Sequence, residues 1–139
     1  MKVITLLTDF GEKDAYVAEM KGVILRITRD VKLVDITHQI TPHSVEEGAF
    51  LLLTAVPYFP KETIHVAVVD PGVGTERKGI IVKTKVCTLV GPDNGILIPA
   101  AKKLGEFKVF EIINKKYTLP SITHTFHGRD VFAPVAAYL

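Results

Sequence analysis

The chain has 139 residues, of which 47% are hydrophobic, and its formal net charge is +2. This composition excludes a disordered chain, and the length is sufficient for one domain with a substantial core. The charges are mixed without a basic stripe, so nucleic acid is not an expected partner. Cys87 is the only cysteine, which excludes an intrachain disulfide and suits the cytoplasm. The first apolar run is too short for a signal peptide or a membrane span, so neither is expected.

The first half of the chain alternates between strand and helix patterns. A helix is predicted from near Ala15, with Asp14 as its cap and an apolar stripe formed by Tyr16, Met20, Val23, Ile24 and Ile27. Ser44 and Glu47 form a capping-box pattern before a second helix, which we expect to be deeply buried because nearly all its sides are apolar. Short apolar runs predict the first three strands at residues 2–7, 32–36 and 63–69.

The second half begins with two strands close enough to form a hairpin, "GIIVKT" and "CTLVG". A short helix then ends at Gly105, the strand "KVFEII" follows, and a last helix begins near Asp130. The alternating elements predict an α/β fold, and the hairpin makes its sheet mixed. We therefore expect a mostly parallel central sheet with helices on both faces, a Rossmann-like three-layer sandwich.

Polar side chains recur where the predicted strands end. Ligands of open α/β sheets bind outside the carboxyl ends of the strands, so this repeated position indicates a site. The residues concerned are Asp9 after the first strand, Asp35 and His38 after the second, Asp70 and Arg77 after the third, and His127 and Arg129 after the sixth.

The stretch "VAVVDPGVGTERKG" begins like a dinucleotide-binding fingerprint but does not complete it. Arg77 stands at the third glycine position, and a strand follows where the fingerprint needs a helix N-terminus. The glycines are therefore expected to let the backbone turn tightly and approach a ligand. An ordinary Asp-Pro-Gly turn with a surface arginine is the alternative.

Several single residues have both a functional and a structural interpretation. Asp9 could accept both hydroxyls of a ribose diol or could cap a turn. Asp14 and His43 are included as candidate substrate-binding residues, although a helix cap and an ordinary loop histidine are simpler interpretations. Gly128, beside His127, would permit a small group to approach closely.

Two pairs have a spacing that could bind a metal, Asp35 with His38 and His124 with His127. Neither has a third and fourth ligand at a diagnostic distance in the sequence, so we expect no metal and no cofactor.

Five blocks, taken in order, resemble a known family. They are "LLTDFGEKDAYVAEMKGVI", "VDITHQITPHSVEEGAFLL", "VDPGVGTERKGI", "GPDNGIL" and "TFHGRDVFAPVAA". They are similar to the N-terminal domain of the S-adenosylmethionine (SAM) hydroxide adenosyltransferases, also called SAM hydrolases, which are relatives of the SAM-dependent fluorinase and chlorinase. The resemblance covers essentially residues 1–139, and the third and fifth blocks are its most specific parts.

The resemblance implies hydrolysis of SAM to adenosine and L-methionine, with water or hydroxide attacking the ribose C5′. The catalytic set of the family falls on Asp70, Arg77 and His127, and its ribose-diol aspartate falls on Asp9. A carboxylate at position 70 and Gly128, which has no hydroxyl, argue against halide as the nucleophile. The resemblance also implies a homotrimer whose sites are completed by the C-terminal β domain of a neighbouring subunit.

That second domain has no counterpart in these residues, so two other functions stay open. One is a non-catalytic nucleoside-binding module. The other is a metal-dependent hydrolase that uses Asp9, Asp35, His38 and Asp70.

Overall fold

A computed structural model describes all residues 1–139 as six strands and four α-helices. The strands are Lys2–Thr8 (β1), Val31–Thr37 (β2), Thr63–Val68 (β3), Gly79–Thr84 (β4), Cys87–Pro92 (β5) and Phe107–Glu111 (β6). The helices are Tyr16–Ile27 (α1), Val45–Ala55 (α2), Ile98–Leu104 (α3) and Ala133–Tyr138 (α4). None of the helices is long and apolar enough to cross a membrane.

The strands form one sheet in the order β2-β1-β3-β5-β4-β6. Only β4 runs against the others, because it pairs in antiparallel fashion with both β5 and β6. The predicted mixed, mostly parallel α/β fold is therefore confirmed. After β1 the chain continues to β2 on one side and later returns to β3 on the other, so the order reverses between β1 and β3. A crevice at such a reversal is where open sheets of this kind bind ligands.

The two faces of the sheet carry separate apolar cores. Alternate side chains of each strand point to opposite faces, as period-2 geometry requires, so Leu6 belongs to one core and Leu7 to the other. Helices α1 and α4 pack on the face of Leu6, and α2 and α3 pack on the face of Leu7. This gives the expected three layers.

Helix ends differ in detail from the sequence prediction. Helix α1 has Ala15 as its N-cap, so the exposed Asp14 lies one residue too early and the prediction that it caps this helix is wrong. In α2 the Ser44 side chain accepts from the Glu47 backbone N–H, as predicted. The Glu47 carboxylate, however, accepts from the backbone N–H of Thr41 at 3.2 Å rather than from Ser44, so only half of the capping box forms.

Helix α2 is also less buried than its composition suggests. Gly48, Ala49 and Leu52 are buried against the sheet, whereas Phe50 on the outer side is 63% exposed. The prediction of a deeply buried helix is wrong for its outer side, because a helix on the outer layer of a sandwich has only one face toward the sheet. At the other end of the chain, a π-helical turn at Gly128–Phe132 precedes α4.

Candidate active site

A cavity of about 310 Å³ opens at the carboxyl edge of the sheet, at the reversal between β1 and β3. This volume is at the lower end of the range of about 300–1,000 Å³ that is usual for small-molecule sites. The cavity brings together residues that are far apart in the sequence. They are Asp9, Phe10, Tyr16, Pro42, His43, Val68, Asp70, Val73, Thr125, Phe126, His127 and Gly128.

Arg77 connects Asp70 and His127 in one hydrogen-bonded group. Its Nε donates to Asp70 Oδ1 at 2.8 Å, and its second guanidinium nitrogen donates to Asp70 Oδ2. The same nitrogen lies 2.8 Å from His127 Nδ1. The Asp70 side chain is 6% exposed and that of Arg77 13%, so this ion pair is largely withdrawn from water. The structure thus assembles the three residues predicted to be catalytic.

The direction of β4 explains how Arg77 reaches this edge. Because β4 is antiparallel to its neighbours, the residues that precede its first residue, Gly79, lie at the carboxyl edge of the other strands. The loop between β3 and β4 therefore carries Asp70 near its start and Arg77 near its end, both beside the cavity. A helix after the glycines, as in the dinucleotide fingerprint, would have carried residue 77 away from this edge.

Gly74 in this loop approaches another loop and not the cavity. Its φ is +79°, and a Cβ there would lie 2.3 Å from the backbone oxygen of His124. Only glycine tolerates both conditions, so this position joins the loop that carries Arg77 to the loop that carries His127. This contact gives Gly74 a structural role, and the prediction that the glycines let the backbone approach a ligand stays a prediction.

The contact with Arg77 determines which ring nitrogen of His127 carries the proton. A guanidinium has donors only, so His127 Nδ1 accepts and the neutral ring keeps its proton on Nε2. Burial lowers the pKa of His127, and the charge of Arg77 lowers it further, against a smaller opposing effect of the Thr123 backbone. The imidazole is therefore neutral at physiological pH.

Asp9 and His43 both line the cavity and are hydrogen-bonded to each other. Asp9 Oδ2 accepts from the backbone N–H of His43 at 2.8 Å. His43 has φ of +67°, a left-handed conformation that non-glycine residues rarely adopt and that is often found at functional sites. Its backbone is what contacts Asp9, while its residue as a whole is exposed.

Three aromatic rings line the wall beside Gly128, and sequence reasoning had not assigned them to the site. Phe126 lies 5.4 Å from Phe10 and 5.3 Å from Tyr16, ring centre to ring centre. Tyr16 was predicted to be part of the core stripe of α1, but it is 46% exposed and lines the cavity. A Cβ on Gly128 would lie 3.1 Å from the Phe126 ring, so glycine here allows this aromatic wall to pack closely.

Other predicted residues lie outside the cavity. Asp14 is exposed and does not line it. Arg129 donates to Asp130 at 2.8 Å and to Glu19 at 2.9 Å, and so braces the end of the last loop against α1. Asp35 Oδ1 and His38 Nε2 are hydrogen-bonded to each other at 2.7 Å. The chain has no group of three or more His, Cys, Asp or Glu side chains that could hold a metal ion.

A larger cavity, of about 760 Å³, lies at the opposite edge of the sheet, where Lys2, Thr63 and Cys87 begin their strands. It contains none of the predicted site residues. Chemistry and position, rather than size, therefore place the candidate active site at the carboxyl edge.

Comparison with known proteins identifies the family of the chain. Residues 4–139 match the family model described as the SAM hydroxide adenosyltransferase N-terminal domain. A protein named (R)-S-adenosyl-L-methionine hydrolase from Methanocaldococcus jannaschii is 49% identical, over 99% of this chain and 52% of its own length. A protein of the same name from Thermus thermophilus is 38% identical, over 100% of this chain and 57% of its own length.

The chain is also similar to a fluorinase and to a solved crystal structure. A fluorinase from an Actinoplanes strain is 26% identical over 99% of this chain and 54% of its own length. The crystal structure of an uncharacterized conserved protein from Thermotoga maritima superimposes with a TM-score of 0.94 at 44% identity, over 97% of this chain and 52% of that one. The chain spans about half the length of the curated relatives it matches. It belongs to the SAM hydroxide adenosyltransferase family and corresponds to the N-terminal domain of that family.

Proposed function

We propose that the protein hydrolyses SAM to adenosine and L-methionine through attack of water or hydroxide on the ribose C5′. The observation that carries the proposal is the withdrawn Asp70–Arg77 ion pair, bonded to His127 beside a cavity with Asp9 on its rim. The names of the relatives, (R)-SAM hydrolases at 38–49% identity, support the same substrate.

The chemistry of SAM explains why such a site is sufficient. The sulfonium leaves as a neutral thioether, so no acid is needed to protonate the leaving group. The difficulty is the nucleophile, because water is weak and hydroxide is scarce at neutral pH. The cationic Arg77 favours the hydroxide form of a water held beside it. The water-poor surroundings of the pair strengthen this effect.

The hydrogen bonds of the site favour Asp70 as the group that takes the proton of the water. In His127 the lone pair of Nδ1 is occupied by Arg77, and Nε2 carries a proton, so the ring has no free lone pair. The Asp70 carboxylate has four acceptor positions and uses two for Arg77. We therefore assign proton acceptance to Asp70 and orientation of the nucleophile by hydrogen bonding to His127.

The other residues are assigned to substrate binding. Asp9 accepts the ribose hydroxyls, with its carboxylate oriented by the His43 backbone N–H. Asp70 loses its negative charge when it takes the proton of water, but it keeps that charge beside chloride or fluoride, which have no proton to give, so hydrolysis is proposed rather than halogenation. The site is open, and completion by a second domain of a neighbouring subunit, in a cytoplasmic homotrimer, is part of the proposal. Light scattering of the natural full-length protein tests that assembly.

The direct test is to incubate the natural full-length protein with SAM in water enriched in ¹⁸O, using the two sulfonium epimers separately. Equal amounts of adenosine and methionine, with the label in the 5′ hydroxyl of adenosine, are expected, and chelator should leave the rate unchanged. Methylthioadenosine as the product would mean that a different bond is broken and would refute the proposal. Loss of activity with chelator would instead indicate a metal-dependent hydrolase.

Variants test the roles of the two groups beside the nucleophile. Asp70→Asn and His127→Ala should lower turnover by about 10²–10⁴-fold while adenosine still binds. His127→Gln, whose amide can donate a hydrogen bond but cannot act as a base, should retain more turnover than His127→Ala. If His127→Gln is as inactive as His127→Ala while Asp70→Asn stays active, His127 is the base and the assignment is wrong.

A further inference from the structure

The Asp-x-x-His motif at the end of β2, formed by Asp35 and His38, is part of a series of hydrogen bonds that leads from the surface into the interior. His38 is 2% exposed and has a side-chain partner on each ring nitrogen. Its Nε2 lies 2.7 Å from Asp35 Oδ1, and its Nδ1 lies 2.7 Å from Thr8 Oγ1. Asp35 also accepts from Lys21 Nζ at 2.7 Å on the protein surface. The series of hydrogen bonds thus runs from the Lys21–Asp35 ion pair at the surface through His38 to Thr8, the last residue of β1.

When the His38 ring is neutral, it is fixed which group donates and which accepts in each of these hydrogen bonds. The Asp35 carboxylate only accepts, so His38 Nε2 donates to it and Nδ1 is left as an acceptor. The Thr8 hydroxyl therefore donates to Nδ1. Its oxygen in turn accepts from the backbone N–H of Phe10 at 3.2 Å. A hydrogen-bond order fixed in this way holds the Thr8 hydroxyl in a single rotamer.

The chain ends on the residues that flank Asp9. The hydroxyl of Thr8 reaches across Asp9 to the N–H of Phe10, and the backbone N–H of Gly11 donates to the His38 carbonyl at 2.7 Å. The loop that carries Asp9 is therefore tied to the His38 loop at two points, while its carboxylate is tied separately to His43. A carboxylate must be held within a fraction of an ångström to receive two vicinal hydroxyls.

We propose that His38 is a positioning residue which, through the Thr8 hydroxyl, orients the Asp9 carboxylate for the two hydroxyls of a ribose. This inference rests on the proposed function for the identity of the ligand, a nucleoside with a 2′,3′-diol. It adds to that function a role for the motif whose spacing had suggested a metal pair.

The test compares nucleoside binding by the natural full-length protein and four variants. Adenosine and 2′-deoxyadenosine are the probes in calorimetric titrations, because only adenosine presents both hydroxyls to Asp9. Asparagine can place its oxygen near the position of Nδ1, and glutamine can place its amide near Nε2. His38→Asn therefore keeps the acceptor for Thr8, whereas His38→Gln keeps only the contact with Asp35. Thr8→Ser keeps the hydroxyl that Thr8→Val removes.

The expected result is that Thr8→Val and His38→Gln weaken adenosine binding by about tenfold, the effect of one lost hydrogen bond. Thr8→Ser and His38→Asn should stay within about threefold of the natural protein. The binding of 2′-deoxyadenosine should change much less in all four, and in SAM turnover KM should change more than kcat. Loss of both nucleosides to the same extent would show a general structural role and overturn the inference.

A fifth variant, Asp35→Ala, and the comparison of binding with turnover complete the test. Asp35→Ala acts at the solvent-exposed end of the hydrogen-bond series, where water can replace the lost carboxylate as acceptor, and should cause a smaller loss of adenosine selectivity in the same direction. A selectivity equal to that of the natural protein in Asp35→Ala and in all variants that fold would overturn the inference. Binding does not require turnover, so a protein that selects adenosine over 2′-deoxyadenosine but leaves SAM intact refutes only the proposed hydrolysis.

Discussion

Substitutions in the Asp70–Arg77 pair can distinguish its effect on the free energy of unfolding from its effect on SAM turnover. In Arg77→Met, the Asp70 carboxylate loses both of its guanidinium hydrogen bonds while its side chain is only 6% exposed. Breaking a buried pair by removing one partner costs about 3–5 kcal/mol, because the remaining charge is left without compensation. That is a large part of the free energy of unfolding of a domain, which is about 5–15 kcal/mol.

A second substitution distinguishes the uncompensated charge from lost packing. Arg77 lies over the Phe132 ring, with its guanidinium carbon 5.4 Å from the ring centre, and methionine can cover the same ring. Asp70→Leu in the Arg77→Met background removes the isolated carboxylate and substitutes an apolar group of similar shape. The double variant should regain most of the lost free energy of unfolding, since replacing a buried pair by apolar residues is often neutral or stabilising.

Urea unfolding of the natural protein, the single variant and the double variant measures these free energies, and SAM turnover is measured in parallel. We expect stability to return in the double variant and activity to remain absent. If the double variant is as unstable as Arg77→Met, the destabilisation does not come from an isolated carboxylate and the reasoning is refuted. If the double variant hydrolyses SAM, the Asp70–Arg77 pair is not the catalytic group.

Two further predictions concern the fold around the site. His65 is fully buried with its Nε2 unpartnered, and burial lowers its pKa from 6.5 to about 4. As the pH falls below 6.5, His65 is protonated in the unfolded chain before it is protonated in the folded protein, which favours unfolding. The free energy of unfolding should therefore be about 3 kcal/mol lower at pH 4 than above pH 6.5. Unfolding curves of His65→Leu should lack this slope, and an unchanged slope would contradict the prediction. Gly74→Ala should destabilise more than Gly95→Ala, because both glycines have positive φ but only a Cβ at 74 would meet the His124 backbone, at 2.3 Å. Equal melting temperatures would contradict this.

The sequence predicts the site residues well where the topology decides their position. Polar groups directly after β1 and β3 meet because these strands are parallel neighbours, and Asp9 and Asp70 both line the cavity. Arg77 and His127 belong to loops with no such constraint. Their positions after predicted strands made them candidates and the blocks "VDPGVGTERKGI" and "TFHGRDVFAPVAA" supported them by resemblance, but no spacing rule would have placed an arginine 2.8 Å from a histidine 50 residues away.

The errors arise where a local pattern does not fix exposure. The stripe of α1 places Tyr16 and Met20 on one helical face, but Tyr16 is in the first turn, beyond the edge of the sheet, so it lines the cavity instead of the core. The composition of α2 suggested deep burial, but a sandwich has only one layer of helices on each face, and Phe50 is 63% exposed. Both errors concern the position of an element in the fold rather than its type.

The two histidines at strand exits show what separates a structural histidine from a functional one. Spacing alone made Asp35 with His38 as plausible a metal pair as any in the chain. In the structure both ring nitrogens of His38 are bonded to side chains and the ring is 2% exposed, so it has no lone pair for a metal or a substrate. His127 has one side-chain partner, the cation Arg77, and lines the cavity. The hydrogen-bond partners of the two rings, which spacing cannot give, support the proposals that His38 positions Asp9 and that His127 orients the nucleophile.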